Sequence, residues 1–416
     1  MRIILLFFLL ASGPALCSQA LRLEGRLLDA ETGAPLAYAQ VRVLAARVGV
    51  LSNEDGEFVL QLPAPRDTLF IQQLGYEAQR LPLQGPGAWA GGEIRLAPKE
   101  YSLPEVTIRY QSAEDILRAA LDALRENHKA TPYQYEGFYR ELVSRNGEPV
   151  ELNEAVFEVR DYPNFEEDEQ TDALRLIKGR SRRNPDAPKD SIQASIGPGG
   201  PQGLVHTPII GQAMTSHFLE KKNFNLYEYR LLGVTEWEGR NAYVISFDQS
   251  RRQNIRLYQG TILLDVNTLA FVSLEYQLSN FGEKFPLRQV LGPSQQALLL
   301  LLRMAGIQIS IEEHTSRLLY SFQETYWRPT FYEAGLRMVV SGPEKHIPGG
   351  RSDLRFELLM NVNRRMPGRS IPEEARFSSQ TRLSQVAGPY EDAFWESYNF
   401  QKPAQSLRAI ARGLQE

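Results

Sequence analysis

The side chains best suited to hold a metal are five histidines: His128, His206, His217, His314 and His346. His217 and Glu220 spell H-x-x-E, and His346 follows downstream. A catalytic zinc needs three ligands, an open coordination position and a general base. An H-x-x-E pair arises by chance in a chain this long, so no metal site is expected. A second candidate is GVLSNEDGEFVL, residues 49–60. With Gly56 at position 6 of a calcium loop, Asn53 and Asp55 fall at positions 3 and 5, but Leu51 falls at 1 and Leu62 at 12. The first and last oxygen ligands are missing. Asp55-Gly56 between two apolar runs is instead a hairpin signal, because Gly accepts positive φ without strain.

Other chemistry finds less support. There is no G-x-S-x-G, and the single cysteine, Cys17, lies near the N-terminus. IGPGGPQGLVHTPIIG, residues 196–211, lacks the Gly-Lys-Ser/Thr of a P-loop and the Rossmann glycine spacing. No carboxylate pair is singled out as acid and base. No catalytic, cofactor-binding or metal-ligating residue is assigned, and no cofactor is expected. The aromatic set Trp237, Tyr243, Phe247, Tyr258, Phe271 and Tyr276 lines either a ligand surface or, at strand spacing, the core.

The elements that would position such residues begin after a leader. MRIILLFFLLASGPALCSQA has a basic start, an apolar stretch and small residues, the pattern of a secretory signal peptide over residues 1–20. Cleavage is expected after Cys17 or after Ala20. Leu16 before Cys17 argues against a lipid anchor. About 400 residues then remain, enough for two or three domains. A formal net charge of −4 gives nucleic acid no electrostatic support as a partner. ALLLLLRMAGIQISI, residues 297–311, is interrupted by Arg303 and Gly306 and reads as a buried helix and strand.

From Leu21, short β-rich runs are punctuated by ETGAP, NEDGE, PAPRD and LGY, the rhythm of a small β-sandwich. Gly25, Asp29, Thr32, Gly33, Pro35, Leu36, Val41, Val43, Asp55, Gly56, Phe58, Gly75 and Tyr76 fall in one pattern over residues 21–98. It resembles the carboxypeptidase-regulatory-like domain, a transthyretin-like seven-stranded sandwich common in exported proteins of Bacteroidota. The resemblance implies an accessory, non-catalytic domain. In true zinc carboxypeptidases the sandwich follows a mixed α/β catalytic domain, whereas here it comes first.

Residues 99–131 read as a linker and an amphipathic helix, EDILRAALDALRENH, with acidic residues at its start. From residue 132 to 365, apolar runs turn at Asn146-Gly147, Glu238-Gly239 and Asp265–Thr268. Consecutive hairpins predict a large curved antiparallel sheet, not a parallel α/β sheet. YRLLGVTEWEGRNAYVISFD and GTILLDVNTLAFVSLEY resemble LolA/LolB-like half-barrels. That resemblance implies an open sheet able to hold acyl chains, with residues 297–307 as a candidate cover. EEDEQTD (166–172) and RLIKGRSRRNPDAPK (175–189) read as solvated charged loops. Residues 366–416 read as a C-terminal tail with a helix.

The expected protein is mainly β: a transthyretin-like sandwich, then an α+β region with a large curved antiparallel sheet. Its expected role is non-enzymatic, in the periplasm or at the outer membrane or cell surface. The expected partners are a lipid or acyl ligand, or an envelope protein. A hydrolase with an unseen site and a structural adhesion module are the rivals.

Overall fold

The computed structural model of the chain describes residues 21–43, 48–62, 66–84, 92–99, 112–128, 133–161, 173–186, 217–252, 254–287, 293–323, 326–366, 371–378, 381–388, 394–395, 398 and 400–414. The leader, the acidic run 166–172, the Gly/Pro-rich segment 196–211 and His206 lie outside them.

Seven short strands come first: β1 (Leu21–Asp29), β2 (Gln40–Val43), β3 (Val48–Leu51), β4 (Glu57–Leu62), β5 (Arg66–Gln72), β6 (Gln79–Gln84) and β7 (Glu93–Leu96). They form two sheets, β4-β1-β7 and β3-β2-β5-β6. Period-two alternation selects the inner faces. Phe58, Leu60 and Leu62 of β4 point inward and meet Leu23, Val41, Val43, Leu69 and Ile71 in one core. The predicted sandwich is present.

NEDGE is a turn. The Asn53 side-chain oxygen accepts from the N–H groups of Asp55 (3.0 Å) and Glu57 (2.8 Å). Gly56 has φ +75°, and a Cβ there would lie 2.4 Å from the Leu27 carbonyl oxygen.

Helix α1 (Ala113–Asp122) and the single turn α2 (Leu124–Asn127) follow. Ser112 caps α1 by accepting from the Asp115 N–H at 3.1 Å. Ile116, Leu117, Ala120 and Leu124 form the buried stripe the sequence predicts.

Ten longer strands make one antiparallel sheet: β8 (Tyr133–Arg145), β9 (Glu148–Asp161), β10 (Ala173–Arg183), β11 (Tyr227–Trp237), β12 (Arg240–Gln249), β13 (Tyr258–Asp265), β14 (Phe271–Leu278), β15 (Gln308–Gln323), β16 (Tyr326–Ser341) and β17 (Arg351–Met366). The order is β10-β9-β8-β17-β16-β15-β14-β13-β12-β11, so β10 and β11 are edges and the sheet is not closed into a barrel. Asn146-Gly147 (φ +51° and +85°) and Glu238-Gly239 (φ +49° and +77°) make two-residue turns with positive φ at both positions.

One face of the sheet is apolar. Its Ile245, Ile262, Leu274 and Leu318 pack with α1, α2, Phe218 and Phe224. Part of the other face is covered too. There Phe138, Phe331 and Leu359 meet Leu51 of the sandwich and Trp395 and Phe400 of the C-terminal segment. That segment ends in helix α5 (Gln405–Gly413), preceded by the single turn α4 (Leu383–Val386).

Two expectations are corrected. Residues 175–183 are not a charged loop but most of edge strand β10, held because Arg175 and Arg180 pair with Glu158 and Glu154 on β9. Residues 297–307 do not cover the inner face and are not a buried helix. They belong largely to helix α3 (Pro293–Met304), whose Leu300, Leu301 and Met304 are exposed. The sandwich and the C-terminal segment hold the covering position instead.

The crowded positive-φ site at Gly56 generates a test. Gly56→Ala is expected to lower folding stability by about 1–3 kcal/mol, read as a lower urea midpoint at unchanged slope.

Candidate functional site

The uncovered part of the second face is an open concavity of about 1480 Å³. One row of side chains crosses its floor. Leu142 of β8 pairs with Glu357 of β17, then Gly335 of β16, Thr315 of β15, Gln277 of β14 and Gln259 of β13. Because alternate residues share a face, the neighbours two positions away join this floor. They read Glu313-x-Thr315-x-Arg317, Glu333-x-Gly335-x-Arg337 and Asp353-x-Arg355-x-Glu357.

These charges are matched across strands. Arg317 donates to Glu275 (2.9 Å) and to Glu333 (3.3 Å). Arg337 binds both oxygens of Asp353 through Nε (3.1 Å each), reaches Oδ2 again through Nη2 (2.7 Å), and donates to Glu313 (3.1 Å). Arg355 donates to Glu313 at 2.9 Å. Cross-strand pairs of opposite sign fix register. Hydrogen bonds to Asp353 and Glu313 raise Arg337 above its ordinary value, and Arg337 in turn holds the Asp353 carboxyl below its own. Burial raises Glu333, with Arg317 opposing it, and burial likewise raises Glu357.

The rim brings three parts of the chain together. Tyr38 lies under the Arg317 guanidinium, 4.1 Å from ring centre to Cζ. Asn53 and Glu54 of the NEDGE turn line the concavity, and Glu54 adds its negative charge beside Glu333 and Glu357. The same turn docks the C-terminal segment. Gln401 donates to the Ser52 carbonyl (2.9 Å), the Gln405 N–H to Asp55 (2.6 Å) and Arg408 to Glu57 (2.9 Å). Beneath that segment, Glu154 is clasped by Arg140 at 2.7 Å and by Arg180, with all three largely buried. Burial alone would raise the Glu154 carboxyl, but the two arginines outweigh it and hold it below its ordinary value. Arg140 also donates to the Gln401 carbonyl at 3.1 Å.

The lining charges balance: Arg140, Arg230, Arg251, Arg317, Arg337, Arg355 and Lys402 stand against Glu54, Glu228, Asp248, Glu275, Glu333, Asp353 and Glu357. A floor of both signs attracts no polyanion as such.

His128, His217 and His314 pack within the fold. His217 shares a 2.9 Å hydrogen bond with the Tyr227 hydroxyl, while Glu220 pairs with Lys222. His346 is exposed in the turn after β16. Among the described residues, no three His, Cys, Asp or Glu side chains come together as a metal site. His128 accepts from the Phe271 N–H at 3.2 Å, and burial pushes it down to about 3. His314 is likewise pushed down, to about 4. The aromatic set Trp237, Tyr243, Phe247, Tyr258, Phe271 and Tyr276 belongs to the main core.

Sequence reasoning missed Arg317, Glu333, Arg337, Asp353 and Arg355. The signal that marks them is charge of both signs on one face of three successive strands, four residues apart in β15 and β16 and at every second residue in β17.

Residues 23–108 match the family model of the CarboxypepD_reg-like domain, which covers the sandwich and not the ten-stranded sheet. No curated protein matches the chain. Among solved structures, a LolA superfamily protein from Nitrosomonas europaea is similar at 13% identity, over 65% of this chain and 100% of that one, with a TM-score of 0.20. A DUF1329 family protein from Desulfovibrio piger is similar at 9% identity, over 61% and 94%, with a TM-score of 0.20. A protein of unknown function from Bacteroides fragilis, described as membrane-associated, is similar at 10% identity, over 84% and 99%, with a TM-score of 0.16. Superposition this loose carries neither a residue nor a function from one protein to another.

Two tests follow from this geometry. Arg140→Ala leaves Glu154 half-paired and removes the bond to Gln401; it is expected to cost about 3–5 kcal/mol in denaturant unfolding. For His128 the folded-state value lies below the unfolded 6.5. The unfolded chain therefore binds the proton first, and stability falls as pH drops from 6.5 towards 3. His128→Gln is expected to flatten that part of a Tm-against-pH curve.

Proposed function

We propose that the chain is an exported, non-enzymatic binding protein of the cell envelope, holding a protein partner against the mixed-charge floor of its ten-stranded sheet. The observation that carries this reading is the floor itself. Arg317, Arg337, Arg355, Glu275, Glu333, Asp353 and Glu357 line one open concavity and are paired with one another or with the adjacent Glu313. A polypeptide presents both signs of charge and backbone groups, and it can exchange partners with such a floor without leaving a charge unpaired. A hydrocarbon chain lying there would desolvate those ions and return nothing.

Binding is preferred to catalysis because the ionisable groups of the floor are saturated by ion pairs. None is set aside with a nucleophile and its base. The CarboxypepD_reg-like sandwich supports an accessory role, since it walls the concavity with Tyr38, Asn53 and Glu54. The leader-like residues 1–20 support export, to the periplasm or the outer-membrane surface.

A photo-crosslinking side chain placed at Gln277, in the middle of the floor, tests the proposal in cells. Protein adducts are expected, reduced about tenfold (about 1.4 kcal/mol) when Arg337→Glu and Arg355→Glu are combined. Adducts consisting only of acyl species, indifferent to those charge reversals, would replace the protein partner with a lipid ligand.

A further inference from the structure

The five successive leucines of α3, Leu298 to Leu302, stand outside the ligand reading above, and their surroundings are unusual. Leu298, Leu300, Leu301 and Met304 are 48%, 55%, 63% and 78% exposed. At 100° per residue these four side chains sweep an arc of about 160°. One side chain ties the helix down: Leu302 packs with Ile307, Ile347 and Val340 in a small core at this end of the sheet. The broad apolar side of the helix is turned outward. Single exposed leucines are ordinary, but a contiguous row on one helix marks a contact surface.

The charges around it select the contact. From Phe285 to Ile311 the sequence holds two charged residues, Arg288 and Arg303, and no acid. Gly306, just past the helix, abuts Pro343, so the turn carrying exposed Lys345 lies alongside, and Glu344 is the acid in that turn. Arg303 on the helix and Lys345 in the adjoining turn thus flank the apolar patch, with Glu344 the acid of that turn. A second copy of the chain would bring the same basic edge against itself. An anionic lipid surface complements both parts, accepting the leucines below its headgroups and pairing phosphates with the basic edge. The twelve residues of α3 reach about 18 Å, well short of a bilayer's apolar core, and no helix among the described residues is long and apolar enough to cross one. The helix would lie on the surface.

We infer that α3, with Arg303 and Lys345 beside it, is a peripheral docking site for anionic membranes. It stands apart from the concavity, so either can fail without the other.

The test uses the exported, processed chain. Its sequence then contains no cysteine except Cys17, if that residue is retained after cleavage, so Met304→Cys in a Cys17→Ser background takes one polarity-sensitive dye. Vesicles of phosphatidylglycerol and phosphatidylethanolamine are compared with vesicles of phosphatidylcholine alone. The expected result is a blue shift and co-sedimentation with the anionic vesicles only. Leu300→Ser combined with Leu301→Ser should weaken binding about tenfold at unchanged Tm, and Arg303→Glu should weaken it less. Absence of binding, binding unaffected by these substitutions, or equal binding to both vesicle types would overturn the inference. So would a concentration-dependent dimer that the double variant abolishes, which would assign the leucines to a second copy.

Discussion

Strand β17 pairs with β8 along one edge and with β16 along the other. The β8-β9-β10 hairpins and the β11–β16 strands would otherwise be two separate sheets. With β17 between them, the backbone bonds run unbroken from β10 to β11, and a single curved surface results. Every feature of the candidate site depends on that continuity. The floor row from Leu142 to Gln259 crosses the β17 seam at Glu357, and the Arg337–Asp353 pair spans it directly.

An open sheet of this width has two faces to manage. The apolar face is closed by helices and by Phe218 and Phe224. The other is closed only in part, and the covers come from opposite ends of the chain. The sandwich is fastened through Gln72, whose side chain donates to the Glu236 carbonyl (2.9 Å) and accepts from the Glu238 N–H (2.9 Å). The C-terminal segment is fastened to the sandwich through the NEDGE turn and to the sheet through Arg140. The remaining area is left to ions that satisfy one another. Such an arrangement stays solvated when empty and can trade hydrogen bonds when occupied, which an apolar trough cannot do.

Much of this was legible in the sequence. The sandwich followed from alternation and turn residues, and the hairpins at Asn146-Gly147 and Glu238-Gly239 from residues that tolerate positive φ. The identity of NEDGE as a turn followed from two missing ligands, and α1 from its apolar spacing. These are local properties, set by backbone sterics within a few residues. The β10 edge was misread because a run of arginines looks solvated until the glutamates of β9 are placed beside it. Helix α3 was misread because five leucines look buried until the neighbouring elements are seen to leave Leu298, Leu300 and Leu301 uncovered.

The sequence by itself thus determined the kinds of element and their turns, the NEDGE turn among them. Tertiary structure alone decided that β17 joins strands from distant parts of the chain, that Glu54 turns into the concavity while Asp55 holds the C-terminal segment, and that His217, Glu220 and His346 do not converge. The reason is physical. Turns and alternation are governed by interactions over a few residues. Strand order and the neutralisation of buried charge depend on contacts between residues hundreds of positions apart, and pairing across that distance leaves no periodic mark in a single sequence.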